Sequence, residues 1–205
     1  VRVIKSFIHI SDTHGLHRQL ANLPAADIII HSGDFTMAGT QDEVFDFVNW
    51  FCDLPYRYKI FIAGNHDMCL FGNELSGLDN NCYYLCNSGI CIEGINIYGV
   101  PMFMEDIMSD TYQESMNSIP QYTDILITHQ PPYRILDYDD NRYYGDKALL
   151  QRVKEVKPKY HLFGHIHNAN GIERREGTIF SNGSLVNAGY ELTSDPVKFE
   201  IEGRR

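Results

Sequence analysis

Five short apolar runs in this chain each end on a cluster of aspartate, histidine or asparagine. Val3–Ile10 (VIKSFIHI) leads into Ser11-Asp12-Thr13-His14-Gly15, and residues 27–31 (DIIIH) lead into Ser32-Gly33-Asp34. Residues 58–63 (YKIFIA) lead into Gly64-Asn65-His66-Asp67, residues 124–128 (DILIT) into His129, and residues 160–164 (YHLFG) into His165-Ile166-His167. A sixth run, Ile95–Val100 (INIYGV), carries no such cluster. Nearly continuous apolar runs of this length suit strands buried on both faces. In open α/β sheets the ligand site lies beyond the carboxyl ends of the strands. Five polar clusters at five such ends are therefore expected to meet in one crevice, and the glycines beside them leave room for tight turns and a ligand.

Two helical patterns lie between the runs. Residues 40–52 place Val44, Phe47, Val48 and Phe51 at helical spacing, with Thr40 as N-cap and Glu43 completing a capping box. Residues 146–156 turn Leu149, Leu150 and Val153 inward, and Pro158 stops the helix. The tail reads as closing antiparallel strands at 177–180, 184–187 and 197–201. Strand–helix alternation followed by strands predicts an α/β core. No repeat or linker interrupts the 205 residues, so residues 1–205 are read as a single domain.

The 17 basic residues against 27 acidic ones give a net charge of −10. That balance argues against a protein holding long nucleic acid through its backbone. No apolar run approaches the roughly 18 residues needed to span a bilayer, and the first residues turn polar too early for a signal peptide. A cytoplasmic protein without membrane association is expected. The five cysteines, Cys52, Cys69, Cys82, Cys86 and Cys91, form no disulfide framework. Cys82, Cys86 and Cys91 are close enough to consider a zinc clip, but without a C-x-x-C pair they read as free buried or half-buried thiols.

The converging donors are Asp12, His14, Asp34, Asn65, His129, His165 and His167. Two carboxylates, one amide and four imidazoles exceed what one ion uses, but serve two if a carboxylate bridges them. Two-metal hydrolytic sites hold their ions about 3.5–4 Å apart. Oxygen and imidazole donors suit borderline divalent ions such as Mn, Zn or Fe. Two divalent ions, two aspartates and a bridging hydroxide would leave a centre of small net positive charge, suited to an anionic substrate and to added negative charge in the transition state. Water on such a metal titrates near pH 7, so hydroxide is available to attack a phosphoester. His9, His31 and His161 lie inside apolar runs and are expected to pack in the core, with orientation of ligands as their alternative. His17 is expected on a solvated loop, a substrate-facing position being the alternative.

The five blocks D-x-H, G-D, G-N-H-D, H and G-H-x-H occur in order from Asp12 to His167, and in this the chain resembles the calcineurin-like metallophosphoesterase superfamily. The resemblance implies a four-layer α-β-β-α sandwich. It implies one metal held by Asp12, His14, Asp34 and His167, a second held by Asp34, Asn65, His129 and His165, and Asp34 as the bridge. It makes His66 the residue that contacts the phosphoryl group and protonates the leaving group, with Asp67 orienting its imidazole. A departing alkoxide needs a proton, and histidine can supply one near pH 7. The segments HSGDFTMAG, IAGNHD, DILITHQPP, HLFGHIHNANG and SNGSLVN resemble the metallophosphoesterase-domain-containing branch. Members of that branch are similar to phosphodiesterases of small substrates such as cyclic nucleotides, and some lose a ligand histidine; this chain keeps both His165 and His167.

Residues 131–145 (PPYRILDYDDNRYYG) are read as a long loop over the site, where Tyr133, Tyr138, Tyr143 and Tyr144 beside Arg134 and Arg142 could stack a base and grip a phosphate. Tyr133, Arg134 and Arg142 are the candidate substrate contacts, and packing of the rings on the body is the alternative. Met102, Phe103 and Met104 read as core or lid packing, and Asn182 and Asn187 as turn residues. The expected partner is a small phosphorylated substrate. A phosphomonoesterase or nucleotide pyrophosphohydrolase would use the same centre. A scaffold that kept the fold for protein interaction should have lost ligands or His66, and this chain has lost neither.

Overall fold

The computed structural model describes residues 3–109 and 111–203. The strands are β1 (Val3–Ile10), β2 (Ile28–His31), β3 (Tyr58–Phe61), β4 (Cys82–Tyr84), β5 (Ser88–Ile92), β6 (Ile95–Val100), β7 (Ile125–Thr128), β8 (Tyr138–Asp139), β9 (Arg142–Tyr143), β10 (Tyr160–Phe163), β11 (Gly171–Arg175), β12 (Thr178–Asn182) and β13 (Val197–Gly203). The α-helices are α1 (Gln41–Asp53), α2 (Met104–Met108), α3 (Thr111–Asn117) and α4 (Lys147–Val156). One sheet runs β13-β1-β2-β3-β4 and the other β11-β12-β10-β7-β6-β5. The neighbours β1 to β4 are parallel, as are β6, β7, β10 and β12.

Alternation along each strand builds the layers. Phe7, Ile28, Ile30, Ile60 and Ile62 of the first sheet face Ile97, Ile125, Ile127 and Leu162 of the second in a shared core. The opposite faces are also covered. Ile8, Ile10, Ile29 and Phe61 pack against Val44, Phe47 and Phe51 of α1. Tyr98, Leu126, Phe163 and Phe180 pack against Tyr112 and Met116 of α3 and Leu149 and Val153 of α4. The result is α-β-β-α. Burial on both faces explains why these strands are apolar almost without interruption.

The predicted capping box is present at α1: the Thr40 hydroxyl accepts from Glu43 N, and Glu43 Oε2 accepts from Thr40 N. Asp146 caps α4, which ends on Lys157 in the left-handed region immediately before Pro158. Three expectations need correction. Residues 184–187 are not a strand; they form isolated bridges, Ser184 to Ser11 and Val186 to Leu192. The strand at 178–182 is antiparallel to β11 but parallel to β10. The segment read as a long loop contains the hairpin β8–β9, whose two-residue turn, Asp140-Asn141, has φ of +43° and +60°, the signature of a type I′ turn.

Candidate metal centre

The clusters do meet. The parallel strands β1, β2 and β3 deliver residues 11–15, 32–34 and 64–67 to one edge, and β7 and β10 deliver His129 and 164–167 to the same edge. The two sheets are stitched there: Ser11 N donates to Gly183 O and Leu185 N to Ser11 O. The first two loops are laced to each other by Asp12 N to Gly33 O, His14 N to Asp34 O and Gly15 N to Phe35 O, all near 3.0 Å. This lacing holds Asp12, His14 and Asp34 at φ of +52°, +41° and +57°, and His165 sits at +71°. Non-glycine residues in this region are strained by about 1 kcal/mol or more and persist only where their surroundings over-determine them. Here four of them are candidate ligands.

Three donor groups result: Asp12, His14 and His167; His14, Asp34 and His66; and Asp34, His129 and His165. Within each, the candidate ligand atoms lie within 4.8 Å of one another. His14 Nε2 lies 3.8 Å from both Asp12 Oδ1 and Asp34 Oδ2, and 3.2 Å from His167 Nε2. His129 Nε2 lies 3.2 Å from Asp34 Oδ2, and His167 Nε2 3.3 Å from Asp12 Oδ1.

The imidazoles are aimed by backbone carbonyls. Nδ1–H of His14 donates to Thr36 O, that of His129 to Ser32 O and that of His167 to Asn187 O. Each bond fixes the tautomer and leaves the Nε2 lone pair toward the cluster. Asp12 is held by Ser184 Oγ at 2.6 Å and by the backbone N–H of His165. Asp34 Oδ1 accepts from His66 N at 2.8 Å. Close approach explains two of the glycines. A Cβ on Gly64 would stand 2.3 Å from Asp34 Oδ1, and one on Gly164 2.0 Å from Asp12 Oδ2.

Electrostatics agree with a cation site. Burial would raise the Asp12 carboxyl, but the contact with His167 and the charges of His129, His167 and His14 hold it well below its ordinary value. Asp34 is likewise lowered against burial by His129. His129 loses solvent yet rises to about 9 beside Asp34, while burial drives His165 down to about 4. Two ionised carboxylates therefore persist although both are buried. Asn65 Oδ1 is buried with no hydrogen-bond partner, and His129 Nε2 meets no hydrogen-bond geometry, with the Asp34 carboxylate 3.2 Å away. An unpartnered buried acceptor is costly, and a divalent cation, taking the place of the proton on His129, would satisfy both atoms. The donor set, oxygen and imidazole without thiolate, fits such an ion.

The structure places other expected residues differently. His66 is half-buried, and its Nδ1–H donates to Met37 O at 2.8 Å. Asp67 does not orient that ring. Its Oδ2 accepts from Asp34 N and Gly64 N, and its Oδ1 from Thr36 N and Oγ1. It faces the backbone amides of two ligand loops and so ties those loops together. Burial, then the charge of Asp34, pushes its carboxyl up to about 7. Arg134 lies over the rings of Tyr133 and Tyr143, 5.5 and 5.0 Å from their centroids, so its charge rests on aromatic faces of its own segment. Arg142 is exposed on β9. Among the described residues neither arginine bonds to the cluster, although Asn168, next to His167, donates to Asp139 of the hairpin.

His17 is buried, not solvated: its ring meets Phe47 and Trp50, and Nε2 lies 3.1 Å from Asp46 Oδ2, pinning its loop to α1. Asn182 is a buried strand residue. Its amide donates to Leu136 O and Ile166 O, which fixes the loop carrying His165 and His167. Met102 and Phe103 are core, whereas Met104 is exposed. Cys82 is buried and Cys52 and Cys69 half-buried, but Cys86 and Cys91 are exposed, and no metal-capable group among the described residues contains a cysteine.

Two residues here carry weak sequence signals. Ser184 is one serine among several, with nothing local to mark its bond to Asp12. Tyr190 lies beyond the last motif, yet its ring stands edge-on to His14 at 4.9 Å; the only signal was the turn expected at Asn187.

A model of the calcineurin-like phosphoesterase family matches residues 5–169, and the chain belongs to that family. It is 36% identical over 225 residues to UPF0046 protein C25E10.12 of Caenorhabditis elegans, covering 95% of this chain and 80% of that one. It is 32% identical over 231 residues to human metallophosphoesterase domain-containing protein 1, covering 95% and 70%. Among solved structures, GAP50, the anchor in the inner membrane complex of Plasmodium, superposes with a TM-score of 0.53 at 11% identity, covering 89% of this chain and 72% of that one. That likeness is one of fold. The family and the donor clusters together define a metal-dependent phosphoesterase. Among the described residues no helix is long and apolar enough to cross a membrane.

Proposed function

We propose that the chain is a dinuclear phosphodiesterase of small organic phosphates. The observation that carries this reading is a pair of donor groups, Asp12/His14/His167 and Asp34/His129/His165, with Asp34 Oδ2 also 3.8 Å from His14. These distances support Asp34 as the carboxylate that would be shared between two ions, and the unpartnered Asn65 Oδ1 supports Asn65 as a member of the second set. Manganese, iron or zinc fits these donors. Held by these residues, divalent ions would supply a Lewis acid for the phosphoryl oxygens and a nucleophile near neutral pH.

The chain's own residues do the rest. The carbonyls of Thr36, Ser32 and Asn187 hold three imidazoles in one tautomer. Asp67 keeps the 34–36 and 64–67 loops in register. His66, aimed by Met37 O, keeps Nε2 free to give a proton to the departing ester oxygen. The hairpin at 138–143 borders the His167 loop, and the segment 131–145 that contains it would bring Tyr133, Arg134 and Arg142 to the substrate. A net charge of −10 favours a small substrate over long nucleic acid.

The test is paired turnover on manganese-reconstituted protein, with bis-p-nitrophenyl phosphate in one arm, p-nitrophenyl phosphate in the other, and a chelated control for each. Faster release from the diester is expected. Faster release from the monoester makes the protein a phosphatase. Silence in both arms with two ions bound favours the non-catalytic scaffold.

A further inference from the structure

Tyr190 has no part in the scheme so far, yet it stands at the centre. Its ring meets His14 edge-on at 4.9 Å and 90°, His167 at 5.5 Å and 81°, and His66 at 6.4 Å. The His14 ring is in turn 4.7 Å from His66. Tyr190 and His66 thus both abut one imidazole of the donor cluster. The tyrosine is 38% exposed and belongs to none of the core clusters.

The chain goes to some length to put it there. Tyr190 has φ of +59°, which a bulky side chain rarely adopts. A dedicated turn imposes it: Tyr190 N donates to Asn187 O, while Gly189 N and Glu191 N both donate to Asn187 Oδ1. Asn187 O also accepts from His167 Nδ1. One turn therefore aims a candidate ligand and presents an aromatic ring beside it.

Resting on the phosphoesterase reading, the geometry points to Tyr190 as the specificity residue of the leaving-group subsite, favouring esters whose leaving group is a planar aromatic ring. If His66 protonates the departing oxygen, the substituent on that oxygen must come within reach of the His66 ring. Among the described residues, the rings that meet His66 are those of His14 and Tyr190, and of the two only Tyr190 has surface to spare. A flat ring packed on it gains an edge or offset contact that an alkyl group lacks.

Calorimetric binding of phenylphosphonate and methylphosphonate to manganese-loaded protein tests this without turnover. Wild type should bind phenylphosphonate about tenfold more tightly than methylphosphonate, a difference within reach of one aromatic contact plus its buried area. Tyr190→Ala should lose that preference while methylphosphonate binding stays within about twofold, and Tyr190→Phe should keep it. Methylphosphonate binding with no preference in wild type overturns the role of Tyr190 and leaves the phosphoesterase reading standing. A wild type that binds neither overturns both. Weakened binding of both phosphonates by Tyr190→Phe would make the hydroxyl a phosphoryl contact instead. Loss of manganese from Tyr190→Ala would make the ring a structural wall of the metal site.

Discussion

At the residue scale, the centre depends on atoms that leave little room for substitution. His66 is the proposed acid, and its ring is oriented by Met37 O rather than by a carboxylate. His66→Ala is expected to lower kcat by about 10²- to 10⁴-fold, the range of general acid catalysis, while manganese content by elemental analysis stays at the wild-type level. Undiminished turnover would remove His66 from the chemistry. Gly164 makes the opposite case, since it matters for what it lacks. A methyl group 2.0 Å from Asp12 Oδ2 must displace either that carboxylate or the β10 turn. Gly164→Ala should therefore cost about 1–3 kcal/mol, as overpacking does, and weaken manganese binding. The two readings are a thermal melt and a metal titration; a variant with wild-type manganese affinity would show that the strand end has slack that this geometry denies.

At the element scale, helix α1 reaches the reaction through its cap. Glu43 closes the capping box at Thr40 and also accepts from Met37 N and Ala38 N at 3.0 and 3.1 Å. Met37 O then orients His66. Glu43→Ala should lower stability by about 1 kcal/mol and reduce kcat on the order of tenfold through a misplaced His66, with metal content unchanged and partial recovery in Glu43→Gln. A loss of stability without a loss of kcat would confine Glu43 to capping. This box was legible in the sequence because its signal is local: a threonine, a glutamate three residues on, and apolar residues at helical spacing. So were β1, β2, β3, β6, β7 and β10, because burial on both faces leaves an apolar run. The edge strands β4, β5 and β11, with less burial, carry no such run. The hairpin was concealed by its turn: Asp140-Asn141 takes positive φ without a glycine to announce it. At the site, the ligand types were legible because each closes a strand. The partners that aim them, Ser184, Asn187 O and Met37 O, were not, because they come from distant segments or are backbone carbonyls, which any residue supplies.

At the scale of the whole molecule, the sandwich is built around neutral buried histidines, which gives its stability a direction in pH. His9 bridges the sheets between Ser181 Oγ and Ser32 Oγ, His31 binds Thr13 Oγ1, and His161 binds Thr128 Oγ1. Each ties a strand to a segment that carries a ligand. Burial holds all three imidazoles down at about 3, with only weak opposition from Asp12 at His9 and His31. In the unfolded chain they titrate near 6.5. Between these values the unfolded state binds more protons than the folded one, so stability is complete above about pH 6.5 and falls as pH drops below it. His165, lowered to about 4, and His14 and His17, also lowered by burial, add to this loss; Asp67, raised to about 7 by burial, and His129 and His167, raised against burial beside Asp34 and Asp12, oppose it by a similar amount because their protons are bound in the folded state. Some three protons remain, and chelated protein should lose roughly 4 kcal/mol between pH 7.5 and 5.5. Urea midpoints at the two pH values measure the loss. His161→Gln isolates one group, since an amide can still meet Thr128 Oγ1 but does not titrate. The variant should shrink the difference by about a third. An undiminished pH dependence would mean that His161 is already protonated in the fold, and that the layer between α4 and the second sheet tolerates a charge that its apolar surroundings should reject.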